Sequence, residues 1–396
     1  MSQRTENLEQ FAIDVILERR HGVRAAVLRG LLYALSFIYE RLVQLRLVLY
    51  RHRLFREHTL GCLVISIGNL TVGGTGKTPI VEKFARALRA GGRRVAILSR
   101  GYKSVPRRTA KKSWNPFAKR KPEPPRIVSD GRTLLLDSLT AGDEPYMLAN
   151  NLKDVVVLVD KDRVKSGLFA IKELKADTLL LDDGLQYLHL KHRLDIVLID
   201  RQAPFGNERL LPRGTLREPP RNLRRASYIF ITKSTGEPND KLIKRIRRYN
   251  RTAEIIECAH QPLHLQNVLT GEQIPLERLR DTYVGSICGI AAPESFEGGL
   301  RKLGARLELS KRYTDHHRYS EAELNSFIAR CIRRDLEMIV TTEKDAVRFP
   351  RLTKADVPIY FLRVEIEILS GHESWEHCVA RICKPQPLLS PERFFA

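Results

Sequence analysis

The sequence predicts an α/β fold: a parallel-sheet domain carrying a phosphate loop, a second, smaller α/β lobe, and an N-terminal membrane-associated helix. Three observations lead to it. A glycine-rich turn, TVGGTGKTP at 71–79, follows an apolar run and opens an amphipathic one. Short runs rich in β-branched residues then alternate with helical stretches, which is the rhythm of βαβ units and a parallel sheet. Ahead of both, residues 19–56 place nine arginines and a single acid, Glu40, around an apolar stretch.

Length and composition set the bounds. At about 150 residues per domain, 396 residues imply two or three domains. The expected divisions are an N-terminal helix region over 1–56, a phosphate-loop domain over 57–235 and a second lobe over 236–396. Cys62, Cys258, Cys288, Cys331, Cys378 and Cys383 show no C-x-x-C or Cys/His spacing, so zinc is not indicated and reduced cytosolic thiols are expected. The formal net charge is +22, and residues 103–126 add nine basic side chains against Glu123 alone. Such an excess suits nucleic acid, an anionic membrane surface or a phosphorylated substrate.

In chain order, the first element is the apolar stretch ending near Tyr50. Its longest uncharged run, Gly30 to Tyr39, is ten residues, short of a spanning helix. Around Leu35, the side chains of Leu28, Leu31, Leu32, Ile38, Tyr39 and Leu42 share one helical face, with Arg29, Glu40, Arg41 and Gln44 opposite. A helix lying in a membrane interface fits this pattern; a helix packed on the protein body and a true span are the other readings. CLVISIG (62–68) is a buried strand, and KTPIVEKFARALRAGG is a helix with a stripe at Ile80, Val81, Phe84, Ala85 and Leu88. RVAILS (94–99) is the next strand. Residues 103–126, with Trp114 and Phe117 among lysines, arginines and prolines, read as a surface loop. Alternation resumes with a helix near 143–151, a strand at 155–159, a helix over 161–175, and strands at 178–181, 195–200 and 228–232. Beyond the basic helix KLIKRIRRYN, strand 282–290, helix PESFEGGLRKLG, a strand-then-helix over EMIVTTEKDAVR and strand VPIYFL make the second lobe.

The chemistry begins at the glycine turn. Successive backbone N–H groups can cradle a phosphate at a helix N-terminus, and a lysine there reaches the terminal phosphates. Thr71, Val72, Gly73, Gly74, Thr75, Gly76, Lys77 and Thr78 form this nucleotide-binding set, with Thr71 in place of the usual first glycine. It makes the first domain P-loop NTPase-like, with ATP as cofactor and the Thr78 hydroxyl as a magnesium ligand. The strand TLLLDDGLQ ends in Asp182 and Asp183. Alone the pair would be a turn, but downstream of a phosphate loop it is a candidate Mg²⁺ site.

Eight motifs then occur in an order that resembles the tetraacyldisaccharide 4'-kinase (lipid A 4'-kinase) family: TVGGTGKTP, SRGY (99–102), GDEP (142–145), DDGLQ (182–186), LLPRGTLREP (210–219), CGIAAPESF (288–296), DHH (315–317) and TTEKDAVR (341–348). A hydroxyl residue at the place of Thr71 is a mark of that family. The resemblance implies transfer of the ATP γ-phosphate to the 4'-hydroxyl of an acylated glucosamine disaccharide 1-phosphate, at the cytoplasmic face of the inner membrane. It also implies that Asp143 takes the hydroxyl proton with His316 as partner, and that Glu218 joins the metal site. On the residues alone, Asp143 could be a helix cap and His316 a surface histidine, and His317 competes for the role. Arg100 and Arg163 are candidate contacts to anionic groups or structural ion pairs. The family commonly follows DDGLQ with histidine, where this chain has Tyr187 and then His189. No nucleic acid is expected. The rival readings are a kinase for another glycolipid or small molecule, and a nucleotide-switched binding protein on membrane or nucleic acid.

Overall fold

The computed structural model describes residues 11–16, 18–101, 104–105 and 123–384. Tyr102, Lys103 and most of the basic loop, including Trp114 and Phe117, lie outside the described residues.

Among the described residues, thirteen strands form one sheet: β1 Leu63–Asn69, β2 Val95–Ser99, β3 Arg126–Asp130, β4 Val156–Val159, β5 Thr178–Asp182, β6 Leu194–Asp200, β7 Tyr228–Thr232, β8 Glu254–Asn267, β9 Gln273–Ile274, β10 Tyr283–Cys288, β11 Arg306–Arg312, β12 Met338–Thr342 and β13 Ile359–Ser370. The order is β11-β10-β12-β13-β8-β7-β6-β1-β5-β2-β4-β3, with β9 beside β8. β1 lies between β5 and β6, parallel to both, and is buried along nearly its whole length. That placement explains its unbroken apolar run, since a strand covered on both faces has no need to alternate.

Helix Lys77–Ala90 lays Ile80, Val81, Phe84, Ala85 and Leu88 on the sheet, all fully buried. Phe84 packs edge-on against Phe230 of β7 and Trp375 of the C-terminal helix His372–Cys383, with centroids at 5.6 and 4.7 Å. This ring thereby ties the phosphate-loop helix to a strand and a helix from far along the chain.

The sheet continues across residue 235, because β7 pairs with the start of β8. Beyond Glu257, β8 outruns β7 and pairs antiparallel with β13, and β12, β10 and β11 follow parallel to β13. The later strands therefore run back toward the first set, and the carboxyl ends of the two sets face each other. Ligands in such sheets sit outside the carboxyl ends of the strands, so this geometry makes a single cleft from two edges.

The sequence reading missed β8, whose Pro262 argues against an interior strand. Pro262 is accommodated at a bulge: Arg363 pairs with His264 and Val364 with Pro262, leaving Leu263 extra. It also missed β11, an edge strand of charged residues.

The N-terminal helix spans Val23–Arg51, roughly 43 Å at 1.5 Å per residue. Polar side chains help fasten it to the body. The Ser36 hydroxyl donates to the Leu210 carbonyl at 2.8 Å and accepts from the Arg213 N–H at 3.0 Å; the Tyr39 hydroxyl donates to the Arg217 carbonyl at 2.9 Å. Val27, Leu31, Leu35, Ile38, Leu42 and Leu45 are exposed along the opposite side. The apolar face drawn from sequence is thus divided, with Leu28, Leu32 and Tyr39 turned partly to the body. Among the described residues, no helix is long and apolar enough to cross a membrane.

Phe84→Ala should cost about 3–5 kcal/mol of stability, read as a lower denaturation midpoint at unchanged slope.

Candidate active site

The phosphate loop is held from both flanks. On one side the backbone of Thr71 bridges to Leu216, and the Val72 N–H donates to the Thr215 carbonyl at 2.7 Å. On the other, the Thr232 hydroxyl donates to the Thr75 carbonyl at 3.0 Å. Gly76 caps the helix with φ +78°, and a Cβ there would lie 2.9 Å from His260 Cε1. Both the left-handed conformation and the close imidazole therefore demand glycine. Val72, Gly73 and Gly74 are exposed, and Thr78 is half-buried in the first turn of the helix. The Lys77 ammonium donates to Asn69 Oδ1 at 3.2 Å and stands 3.4 Å from Asp183 Oδ1.

β5 is in register with β1, Asp182 opposite Ile67, so both aspartates arrive beside the loop. Their electrostatic settings differ. Asp182 is buried; one oxygen accepts from the Ser99 hydroxyl at 3.0 Å, and Oδ1 has no hydrogen-bond partner among the described residues. Burial, reinforced by the charges of Glu144 and Asp183, pushes its pKa up to about 6. Burial also acts on Asp183, but hydrogen bonds from Arg217, at 2.8 Å to each oxygen, and the charge of Lys77 outweigh it and hold this carboxyl far below the usual range. An orphaned buried carboxylate oxygen next to a phosphate loop is suited to a hard divalent cation.

Glu218 is buried near the same loop and turned toward protein donors. It accepts from Arg225 at 2.9 and 2.7 Å, Asn222 at 2.7 Å and Gln186 at 3.0 Å. Gln186 in turn reaches the Asn69 carbonyl at 3.3 Å. Among the described residues no three His, Cys, Asp or Glu side chains converge into a ready-made metal cage.

The second group is built across the cleft. Asp143 opens helix Asp143–Asn151, and its Oδ2 accepts from Arg348 Nε at 2.7 Å and lies 3.2 Å from His316 Nδ1. Its Oδ1 accepts from Arg318 at 3.0 Å. Burial raises this carboxyl, but the contact with His316 and the charges of Arg348 and Arg318 prevail, leaving it below the ordinary carboxylate range. Arg348, itself buried, also donates to the Gly289 carbonyl at 3.0 Å and to Asp345 at 3.2 Å, which fixes its direction. His317 stacks on Tyr313 at 4.3 Å and meets Glu323 at 3.2 Å, away from Asp143. Glu144 pairs with Lys344 at 3.2 Å and is close enough to bear on Asp182, so the carboxylate–histidine pair and the aspartates share one region.

Arg163 lies buried with its guanidinium 4.9 Å from the Tyr187 ring centroid, and its backbone N–H donates to the Tyr187 hydroxyl at 3.0 Å. His189 packs against Tyr50 instead, and Arg100 is exposed. Sequence reasoning assigned no part to Arg217, Arg318, Arg348, Asn69, Thr232 or His260. Arg217 and Arg348 did stand inside quoted motifs, and an arginine at a fixed offset from a motif acid was the available signal.

A phosphate loop on a central parallel strand, aspartates on the adjoining strand and a carboxylate–histidine pair facing them define a P-loop kinase. The family model described as LpxK, tetraacyldisaccharide-1-P 4'-kinase, matches residues 28–384. The tetraacyldisaccharide 4'-kinase of Syntrophus aciditrophicus is 38% identical over 364 residues, covering 89% of this chain and 93% of that protein. The enzyme of the same name from Halothermothrix orenii is 33% identical, covering 92% and 95%. The crystal structure of LpxK from Aquifex aeolicus in complex with ATP superposes with a TM-score of 0.69 at 28% identity, over 90% of this chain and 99% of that one. The chain belongs to the tetraacyldisaccharide 4'-kinase family.

Asp182 also generates a stability prediction. Between the ordinary aspartate pKa near 4 and the raised value of about 6, the folded protein binds a proton that the unfolded chain has released, so stability falls as pH rises through that window. Above it, ionised Asp182 is a net cost to the stability of the fold. Asp182→Asn should therefore raise the melting temperature of the nucleotide- and metal-free protein at pH 8 more than at pH 4, as thermal scans would show.

Proposed function

We propose that this chain transfers the γ-phosphate of ATP to the 4'-hydroxyl of tetraacyldisaccharide 1-phosphate, the reaction of the lipid A pathway for which its family is named. The observation that carries the reading is the pairing of Asp143 with His316, 173 positions apart, opposite the phosphate loop. A nucleotide switch has no use for such a pair, whereas transfer to an alcohol must place the hydroxyl proton somewhere.

The loop N–H groups, the helix end and Lys77 bind and orient the phosphates. Asp182 and the Thr78 hydroxyl would hold Mg²⁺, which supplies charge neutralisation at the phosphates when bound. Glu218, its oxygens taken up by Arg225, Asn222 and Gln186, would support the loop by orienting Gln186, which donates to the Asn69 carbonyl. Asp143, held ionised by two arginines, is a weak base by itself. With His316 beside it, the Asp143–His316 pair takes up the proton of the 4'-hydroxyl while the oxygen attacks phosphorus in line and the oxygen bridging to ADP departs.

The outward apolar stripe of helix Val23–Arg51, set among arginines, fits the interface of an anionic bilayer, the source of a four-chain substrate. We place the enzyme peripherally on the cytoplasmic face of the inner membrane.

Labelled γ-phosphate transfer to the lipid in detergent micelles tests the reaction. Wild type should turn over, and Asp143→Asn should lose about 10²- to 10⁴-fold in kcat with KM for ATP little changed; a shift confined to KM would make Asp143 a binding residue. For the membrane reading, replacing Leu31, Leu35 and Leu42 with serine should move the protein from anionic vesicles to the supernatant without altering its melting temperature. Unchanged sedimentation would refute it.

A further inference from the structure

The two sides of the cleft meet at a second place, inside the protein and on a different set of charges. Arg363 of β13 is buried, and its Nη1 donates to Glu343 Oε2 at 2.7 Å while its Nη2 donates to Glu82 Oε1. Glu82 stands on the phosphate-loop helix five residues beyond Lys77, and it too is buried. Glu343 opens the turn Glu343–Ala346 that leads to Arg348. Asn151 closes the ring: from the last turn of the Asp143 helix its amide donates to Glu343 Oε1 at 2.5 Å and to Glu82 Oε2 at 3.3 Å. Arg86 adds donors to Glu82 Oε1 at 2.7 Å and to the Asn151 carbonyl at 2.9 Å.

Each element tied here carries one part of the chemistry. The helix of Glu82 begins with Lys77 and Thr78. The helix of Asn151 begins with Asp143. The segment of Glu343 ends in Arg348, which grips Asp143 at 2.7 Å and whose Nη2 lies 3.2 Å from His316. A buried ion cluster is a poor device for stability, since well-packed apolar side chains of similar volume generally hold a fold as well or better. What the cluster supplies is direction: a guanidinium with fixed donors sets two carboxylates at fixed positions.

We propose that Arg363 is a positioning residue, acting through Glu82 and Glu343 to set the distance between the donor phosphate and the Asp143–His316 pair. The inference rests on that pair being the proton acceptor. Arg363 touches neither nucleotide nor lipid in this role. Its loss leaves ATP bound at the phosphate loop while the base stands out of line, so turnover falls and water competes with the sugar hydroxyl.

Arg363→Met alone strands two buried carboxylates and could fail to fold, so the test uses Glu82→Gln, Glu343→Gln and Arg363→Met together, with Arg363→Lys beside it. The triple variant should fold with a melting temperature at or above wild type and bind ATP with KM within about twofold. Its kcat for lipid phosphorylation should fall at least tenfold, because misplacement on the order of 1 Å costs about 100-fold, and the ratio of inorganic phosphate released to lipid phosphorylated should rise. Arg363→Lys, which retains the charge, should recover part of the loss. A stable triple variant with wild-type kcat and wild-type coupling would overturn the proposal. Asp143→Asn, assayed in parallel, separates the two failures. If it retains turnover, the proton-acceptor reading has failed; if it is inactive while the triple variant is fully active, only the positioning role has failed.

Discussion

A buried carboxylate stays ionised only where donors and positive charges surround it, and the whole site depends on meeting that condition at Asp143. The helix bearing Asp143 belongs to the first set of strands, whereas Arg348, Arg318 and His316 all come from the second. Neither half can complete this group by itself. The antiparallel turn-back at β8 and β13 is what brings the donors into reach, because it points the carboxyl ends of the later strands at those of the earlier ones.

The two aspartates at the end of β5 show how one dipeptide serves opposite needs. Asp183 is held by Arg217 and Lys77, a fixed negative charge beside the loop. Asp182 keeps one buried oxygen that no described donor meets, an expense in stability that fits the cation proposed for it. Arg217 also donates to the Asn69 carbonyl and side chain at the root of the loop, so the same guanidinium organises the strand end, the acid and the segment 210–218.

Much of this was legible in the sequence where the signal was local. The strand of residues 62–68, the glycine turn and the stripe from Ile80 to Leu88 declare themselves because apolar periodicity and backbone freedom are properties of neighbouring residues. Asp143 and His316 were reached only through resemblance, since no spacing rule joins residues 173 positions apart. The long strand β8 escaped, and β13 was read only as far as Leu362, because β8 carries proline, histidines and glutamines whose burial is decided by a distant partner. Arg363 and Glu82 escaped for the same reason: a charged residue on a strand or helix reads as solvated until its counter-charges are placed around it.

The segment from Leu210 to Glu218 touches the N-terminal helix on one side, through Ser36 and Tyr39, and the phosphate loop on the other, through Val72 and Thr71. Helix and loop are thereby fastened to opposite faces of one short strap. The strap works as a gauge block: the fold itself fixes the spacing between the phosphate loop and the helix that carries the exposed leucines. In the membrane reading proposed above, that spacing would set the one elevation at which a sugar hydroxyl meets the phosphate loop.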